Sequence, residues 1–121
     1  MNEIRHTKQN YTLINEEGET LSATFCGKVA ENLVQVPQEF KDKKINTIMG
    51  FYSKIKSKGY GKSLLNKLIE IEIERGTQIL TLGVSKDNEI AIKLYEGCGF
   101  VISGDLSMSD KYHFMYLDLT V

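Results

Sequence analysis

KSKGYGKS (56–63) joins INTIMGFY (45–52) to LLNKLIEIEIERG (64–76), and the reading of that junction decides the fold. The segment before it is apolar at both ends and reads as a β-strand. The segment after it places Leu64, Leu65, Leu68, Ile69, Ile71 and Glu72 along one stripe, with charges between and Gly76 just past the end. That is an amphipathic helix with a glycine C-terminus. QILTLGVS (78–85) follows, nearly all apolar, as a buried parallel strand would be. The unit is β–α–β, and it puts two glycines and several lysines where a strand ends and a helix begins. Open α/β sheets bind ligands at that edge.

Working outward, residues 1–36 read as strands. INEEGET (14–20) is a turn between YTLI and LSATFC, and NLVQV (32–36) looks like a further strand. Pro37 opens a polar stretch, QEFKDKK, with the character of one helical turn. Beyond the parallel strand, Asp87 or Asn88 can cap a second helix whose buried face is Ile90, Ala91, Leu94 and Tyr95. Gly97 and Gly99 break it, and FVIS (100–103) and YHFMYLDL (112–119) are late strands. No internal repeat, low-complexity tract or linker interrupts the 121 residues, so a single domain over 1–121 is expected.

The bulk properties narrow the function. The chain is 41% apolar with a net charge of −1, which fits neither a disordered chain nor a general polyanion binder. No apolar run approaches a bilayer span and the first residues carry no apolar signal core, so a cytoplasmic protein is expected. Cys26 and Cys98 match no metal spacing and read as reduced thiols. Two lone histidines and two lone cysteines make no metal site. Lys41, Lys43, Lys44, Lys54, Lys56, Lys58 and Lys62 form a local basic patch. Few aromatics interleave it and no nucleic-acid motif accompanies it, so nucleic acid is not the expected partner.

The glycine turn selects among phosphates. Gly61-Lys62-Ser63 satisfies the second half of the nucleotide P-loop pattern, but its first glycine would fall at Lys56. The dinucleotide G-x-G-x-x-G also fails, because Ser63 and Leu64 follow Gly61. What remains is a basic residue, two positions, Gly-x-Gly and a helix. Main-chain amides from about Lys58 to Ser63 would face one concavity, with the helix dipole and Lys56, Lys58 and Lys62 adding positive charge. This suits a diphosphate. A tight turn with incidental lysines is the plainer alternative.

Two motifs together resemble the GNAT superfamily of acyl-CoA N-acyltransferases. MGFYSKIKSKGYGKSLLNKLIE (49–70) matches its strand–[Arg/Gln]-x-x-Gly-x-[Gly/Ala]–helix motif, with Lys56, Gly59 and Gly61 in register. LGVSKDNEIAIKLYEGCGF (82–100) matches the second, with Asn88, Ala91, Tyr95, Gly99 and Phe100 in register. The resemblance implies an α/β (α+β) fold: a mixed, mostly antiparallel twisted sheet with a central splayed parallel strand pair and helices on its faces. It implies acetyl-CoA as co-substrate, with no metal. The pantetheine arm would pair with Met49–Ser53 through the backbone of Phe51 and Tyr52. Lys56, Lys58, Gly59, Tyr60, Gly61, Lys62 and Ser63 would hold the diphosphate, and Asn88 would steady the arm. Tyr95 would be the acid for the departing thiolate. Read as local chemistry, Asn88 is equally a helix cap and Tyr95 equally a packing tyrosine.

Two departures stand out. Lys56 replaces the usual Arg or Gln and loses the planar fork. Only about 44 residues precede the strand entering the loop, where fuller members carry two helices, so the acceptor side is expected to be open. An open side suits a large acceptor or a second subunit completing the wall, as in a homodimer. The usual strand carboxylate is missing, which leaves His113, Tyr112, Glu39 or a water chain as base. His113 also reads as an ordinary strand residue, His6 lies near a loose end, and Cys98 lies in a turn unsuited to an acyl carrier. The expected reaction moves acetyl to an amine acceptor, small molecule or protein. The alternative is a non-catalytic acyl-CoA-binding or partner-binding module.

Overall fold

Alternation of apolar and polar residues builds most of the molecule into one sheet. A computed structural model of the chain describes residues 2–28, 37–54, 58–106 and 109–121. In chain order the elements are β1 (Glu3–Thr7), β2 (Asn10–Ile14), β3 (Thr20–Gly27), a 3₁₀ turn (Gln38–Phe40), β4 (Ile45–Ser53), α1 (Tyr60–Glu74), β5 (Ile79–Ser85), α2 (Glu89–Gly97), β6 (Val101–Leu106) and β7 (Ser109–Asp118). The sheet order is β1-β2-β3-β4-β5-β7-β6. Only β4 and β5 run parallel; the other neighbours are antiparallel. This is the mixed architecture expected from the sequence. The NLVQV strand expected at 32–36 lies outside the described residues.

Local chemistry explains the connections. At the β2–β3 turn Asn15 Oδ1 accepts from the amides of Glu17 (3.0 Å) and Glu19 (2.9 Å), while Gly18 takes φ +83. His6, expected near a loose end, is instead held in β1 with its ring stacked on Tyr11 at 4.2 Å. Both helices share one face of the sheet: Leu64, Leu65 and Leu68 of α1 and Tyr95 of α2 join one apolar cluster with Leu80, Leu82 and Met115 of the strands. On the opposite face Phe40 packs edge-on against Tyr116 at 5.0 Å.

The parallel pair is short and opens. β4 pairs with β5 only at Ile45↔Ile79, Asn46↔Leu80 and Thr47↔Thr81. Beyond that point β4 takes a bulge: Ala23 faces Tyr52 and Phe25 faces Met49, so Thr24 alone opposes Gly50 and Phe51. Gly50 adopts φ +64 there, a conformation glycine takes without a Cβ penalty. Thr24 Oγ1 and Ser22 Oγ donate to the carbonyls of Met49 (2.9 Å) and Tyr52 (2.7 Å), holding the bent strand to β3. Its other edge is left facing a gap.

Beneath the closed end of the pair lies a buried carboxylate. Glu72 sits on the apolar stripe of α1 and is fully buried. It accepts from Tyr11 Oη, from Asn46 Nδ2 (2.7 Å), from Thr77 Oγ1 (2.7 Å) and from Arg75 Nη1 (2.6 Å). Burial alone would raise its pKa, but these hydrogen bonds and the arginine charge outweigh it and hold the carboxyl below its usual range. Burial, and after it the same carboxylate, push the Tyr11 phenol and the Cys26 thiol up.

Candidate active site

The gap between β4 and β5 continues into a crevice of about 460 Å³. Phe51 and Ser53 of β4, Gly83, Val84 and Ser85 of β5, the amino end of α1 and one side of α2 form its walls. Val84 belongs to the helix-side core, whereas Ser85 pairs with Tyr112 and both alternate to the far side. Since Tyr112 also lines it, the crevice crosses the sheet from one face to the other.

At one end stands the glycine turn. Gly59 caps α1 with φ +77, and a Cβ there would meet nothing within 4 Å, so its backbone conformation is what calls for glycine. The first helical bond runs from the Ser63 amide to the Gly59 carbonyl at 3.0 Å. The amides of Tyr60, Gly61 and Lys62 therefore have no partner within the helix and emerge at its positive end. The donor arc expected from Lys58 to Ser63 is narrower than that, because α1 consumes the Ser63 amide. Gly61 has a different reason for being glycine: a Cβ would lie 3.2 Å from Phe51 Cε1 and 3.4 Å from Leu94 Cδ2.

Across the crevice Tyr95 is buried, with Phe51 in edge contact at 5.9 Å and Phe100 at 5.8 Å. Burial pushes its phenol up to about 12, so it is protonated at neutral pH. Its hydroxyl makes no hydrogen bond to the described residues. Asn88 caps α2 by accepting from the Ala91 amide at 3.1 Å, and it also lines the crevice. The cap reading is thus satisfied without removing Asn88 from the site.

Phe51, Gly59, Tyr60, Gly61, Lys62, Asn88 and Tyr95 all line this one crevice. Tyr52, Lys58 and Ser63 are not on the crevice wall; Tyr52 alternates away from Phe51 and is half exposed. Lys56 lies outside the described residues. Ile90 was expected in the buried face of α2 but is 67% exposed, because that side of the helix borders the crevice instead of the sheet. Of the base candidates only Tyr112 reaches the crevice; His113 and Glu39 do not line it. Cys98 is half-buried after α2, its Sγ 3.6 Å from Asn66 Oδ1, and burial raises its thiol pKa, which does not suit a nucleophile. Sequence reasoning included Ser53 only as the end of the Met49–Ser53 strand, and it missed Gly83 and Ser85. Gly83 was the findable one: an exposed glycine inside an otherwise buried strand marks a close approach. Among the described residues no cluster of three or more His, Cys, Asp or Glu could hold a metal, and no helix is long and apolar enough to cross a membrane.

Comparison with known proteins agrees with this fold. The chain is 29% identical over 63 residues to the L-amino acid N-acyltransferase MnaT of Escherichia coli K12, covering 52% of this chain and 37% of that protein. It therefore spans little more than a third of that curated relative. The fold is similar to that of the ribosomal-protein-S18-alanine N-acetyltransferase of E. coli, with a TM-score of 0.69 at 20% identity over 96% of this chain and 73% of the other. It is also similar to YncA of Salmonella typhimurium with its cofactor acetyl-CoA, with a TM-score of 0.71 at 18% identity over 93% and 65%. The PaiA N-acetyltransferase of Thermoplasma acidophilum in complex with coenzyme A aligns with a TM-score of 0.69 at 16% identity, over 90% and 59%. The profile of the Acetyltransferase (GNAT) family matches residues 2–100, and the chain belongs to that family.

Proposed function

We propose that the chain is one N-acyltransferase domain over residues 1–121 that moves an acetyl group from acetyl-CoA to a primary amine by direct attack on the thioester. The observation that carries this reading is the crevice through the splayed β4–β5 pair, with open helix amides at one end and the Tyr95 phenol inside. The amides of Tyr60, Gly61 and Lys62 receive the diphosphate, and the ammonium groups of Lys62 and Lys58 add charge. The pantetheine arm lies along the open edge of β4 beside Phe51 as an added strand, with Asn88 facing it. A backbone N–H of that edge polarises the thioester carbonyl.

The amine nitrogen forms the C–N bond as its proton leaves to solvent, and collapse of the tetrahedral intermediate breaks the C–S bond. Tyr95 then donates a hydrogen bond to the departing sulfur. Burial holds the Tyr95 phenol well above an ordinary thiol, so complete proton transfer to the thiolate is uphill and solvent delivers the final proton. Tyr95 stabilises the developing thiolate charge while the C–S bond breaks.

The test follows free thiol from acetyl-CoA with a mixture of amines. Amine-dependent thiol release is the expected result. Calorimetric binding of coenzyme A without any such release would instead identify a binding module on this fold.

A further inference from the structure

We infer that the acceptor is the α-amino group of a peptide or protein N-terminus, which enters the crevice already neutral; this rests on the reading of the chain as an N-acyltransferase. Among the described residues four titratable side chains reach the crevice. They are Tyr60 and Lys62 from α1, Tyr95 from α2 and Tyr112 from β7; among the described residues β4 and β5 contribute none. No carboxylate or imidazole in that set can take a proton from an ammonium or offer a cation a counter-charge. Three of the four are phenols, and burial pushes that of Tyr95 up to about 12. The fourth is a cation, and it stands with the positive end of α1 on the same wall. A site so lined disfavours an ammonium ion and disfavours a polycation more.

An amine that must shed its proton in solvent is limited by its own pKa. At pH 7 an N-terminal amine near ~7.8 is roughly 14% neutral, whereas a lysine amine near ~10.4 is about 0.04% neutral, a ratio of roughly 300. The far end of the crevice fits a peptide as well. Ser85 and Tyr112 sit side by side there on paired strands, Tyr112 is 43% exposed, and both hydroxyls can hydrogen-bond the first peptide groups while the chain stays outside.

The experiment uses the full chain, acetyl-CoA and two peptides of equal length. One has a free N-terminus and no lysine; the other is N-acetylated and carries one lysine. Thiol release gives kcat/KM from pH 6.5 to 9.5. At pH 7 the N-terminal peptide should react more than about tenfold faster, the 300-fold excess of free base being partly offset by the greater nucleophilicity of the more basic amine. Its profile should rise and bend near ~8, while the lysine profile is still climbing at pH 9.5. Tyr112→Phe should keep both shapes, whatever it does to the rate. Profiles that bend at one common pH would mean that an enzyme group takes the proton, and faster reaction of the lysine peptide at pH 7 would also overturn the inference. If neither peptide reacts but spermidine or glucosamine does, the acceptor class is wrong and the acyltransferase reading stands. Thiol release with no amine at all would sink both.

Discussion

Replacing Gly59 and Gly61 by alanine, one at a time, separates two reasons for glycine in the turn. At Gly59 a methyl group meets nothing within 4 Å, so the whole cost is the left-handed φ of +77. For an L-residue that is about 1–2 kcal/mol. The mutant can respond in two ways. If the turn keeps its shape, the strain appears as lost stability; for 121 residues, with an unfolding entropy of roughly 250 cal/mol/K, that is about 4–8 °C in Tm. If the turn relaxes, stability is spared, but the Tyr60–Lys62 amides leave their arc and coenzyme A binding weakens by about 5–30-fold. The two losses are complementary and should sum to about 1–2 kcal/mol. Gly61→Ala differs: the helical position gains up to about 1 kcal/mol in propensity, offset by the Phe51 contact at 3.2 Å, so Tm moves little. The added methyl stands in the crevice, and Kd should rise by more than about tenfold, or 1.4 kcal/mol. Thermal unfolding and calorimetric titration with coenzyme A read both. Gly59→Ala with Tm and Kd both unchanged would refute the reasoning, because the left-handed turn would then play no part in either state.

Three further outcomes can be checked. Tyr95→Phe should lower kcat by about 10²–10³-fold, the cost of losing one hydrogen-bond donor to developing charge, with coenzyme A affinity retained, and the wild type should show no loss of activity from Tyr95 ionisation below about pH 11; a rate within twofold of wild type would reduce Tyr95 to a packing residue. Asn88→Ser keeps a competent N-cap, so Tm should hold while coenzyme A binding weakens several-fold; unchanged binding would leave Asn88 a cap alone. Glu72→Gln should cost about 2–4 kcal/mol by unbalancing a buried charge network. Because the folded carboxyl titrates below its unfolded value, its contribution is full above about pH 4.3 and is lost as pH falls through the folded pKa. The mutant's stability should therefore fall less steeply on acidification than that of the wild type, as measured by urea unfolding between pH 3 and 7.

The parts that the sequence disclosed are those whose signals are local. The strand–turn–helix around Gly59, the buried run of β5 and the cap at Asn88 each announce themselves within a few residues. β1 carries no apolar alternation, since EIRHT is an edge strand whose stability comes from pairing with β2. Glu72 was visible as a charge on the apolar stripe of α1, but its partners Tyr11 and Asn46 are 61 and 26 residues away and nothing local names them. Ile90 misled because helical periodicity says which residues share a face, not whether that face meets a sheet or a crevice. Gly50 hinted at the bulge, as a mid-strand glycine does, yet the direction of the bend depends on Ser22 and Thr24 holding β4 to β3. That no carboxylate or imidazole among the described residues lines the crevice was not legible for a physical reason as well: proton acceptors are recognised by what they face, and the residues closing the far side come from β5 and β7.

The buried carboxylate and the crevice are two ends of one device. A parallel pair that must part after three residues needs a fixed point, or the strands would zip further or slide. At the closed end Thr47 and Thr81 join hydroxyl to hydroxyl at 2.7 Å across the pair, and Asn46 next to them is tied to Glu72 and, at 3.2 Å, to Thr77. Sliding β4 by one residue would turn Asn46 to the opposite face and replace it with Ile45 or Thr47, leaving Glu72 short of a donor in a fully buried place. Sliding by two so that Ile48 replaced Asn46 would likewise remove that donor from the carboxylate. Either slip costs several kcal/mol in an environment where an uncompensated charge is poorly tolerated. The register is thereby fixed at Ile45↔Ile79, and the Gly50 bulge always begins the same distance along β4. Phe51 is then set opposite Tyr95 and Gly61 regardless of whether ligand fills the space between. A site whose width is set by charge pairing beneath it, instead of by ligand contact, should keep its shape in the free protein.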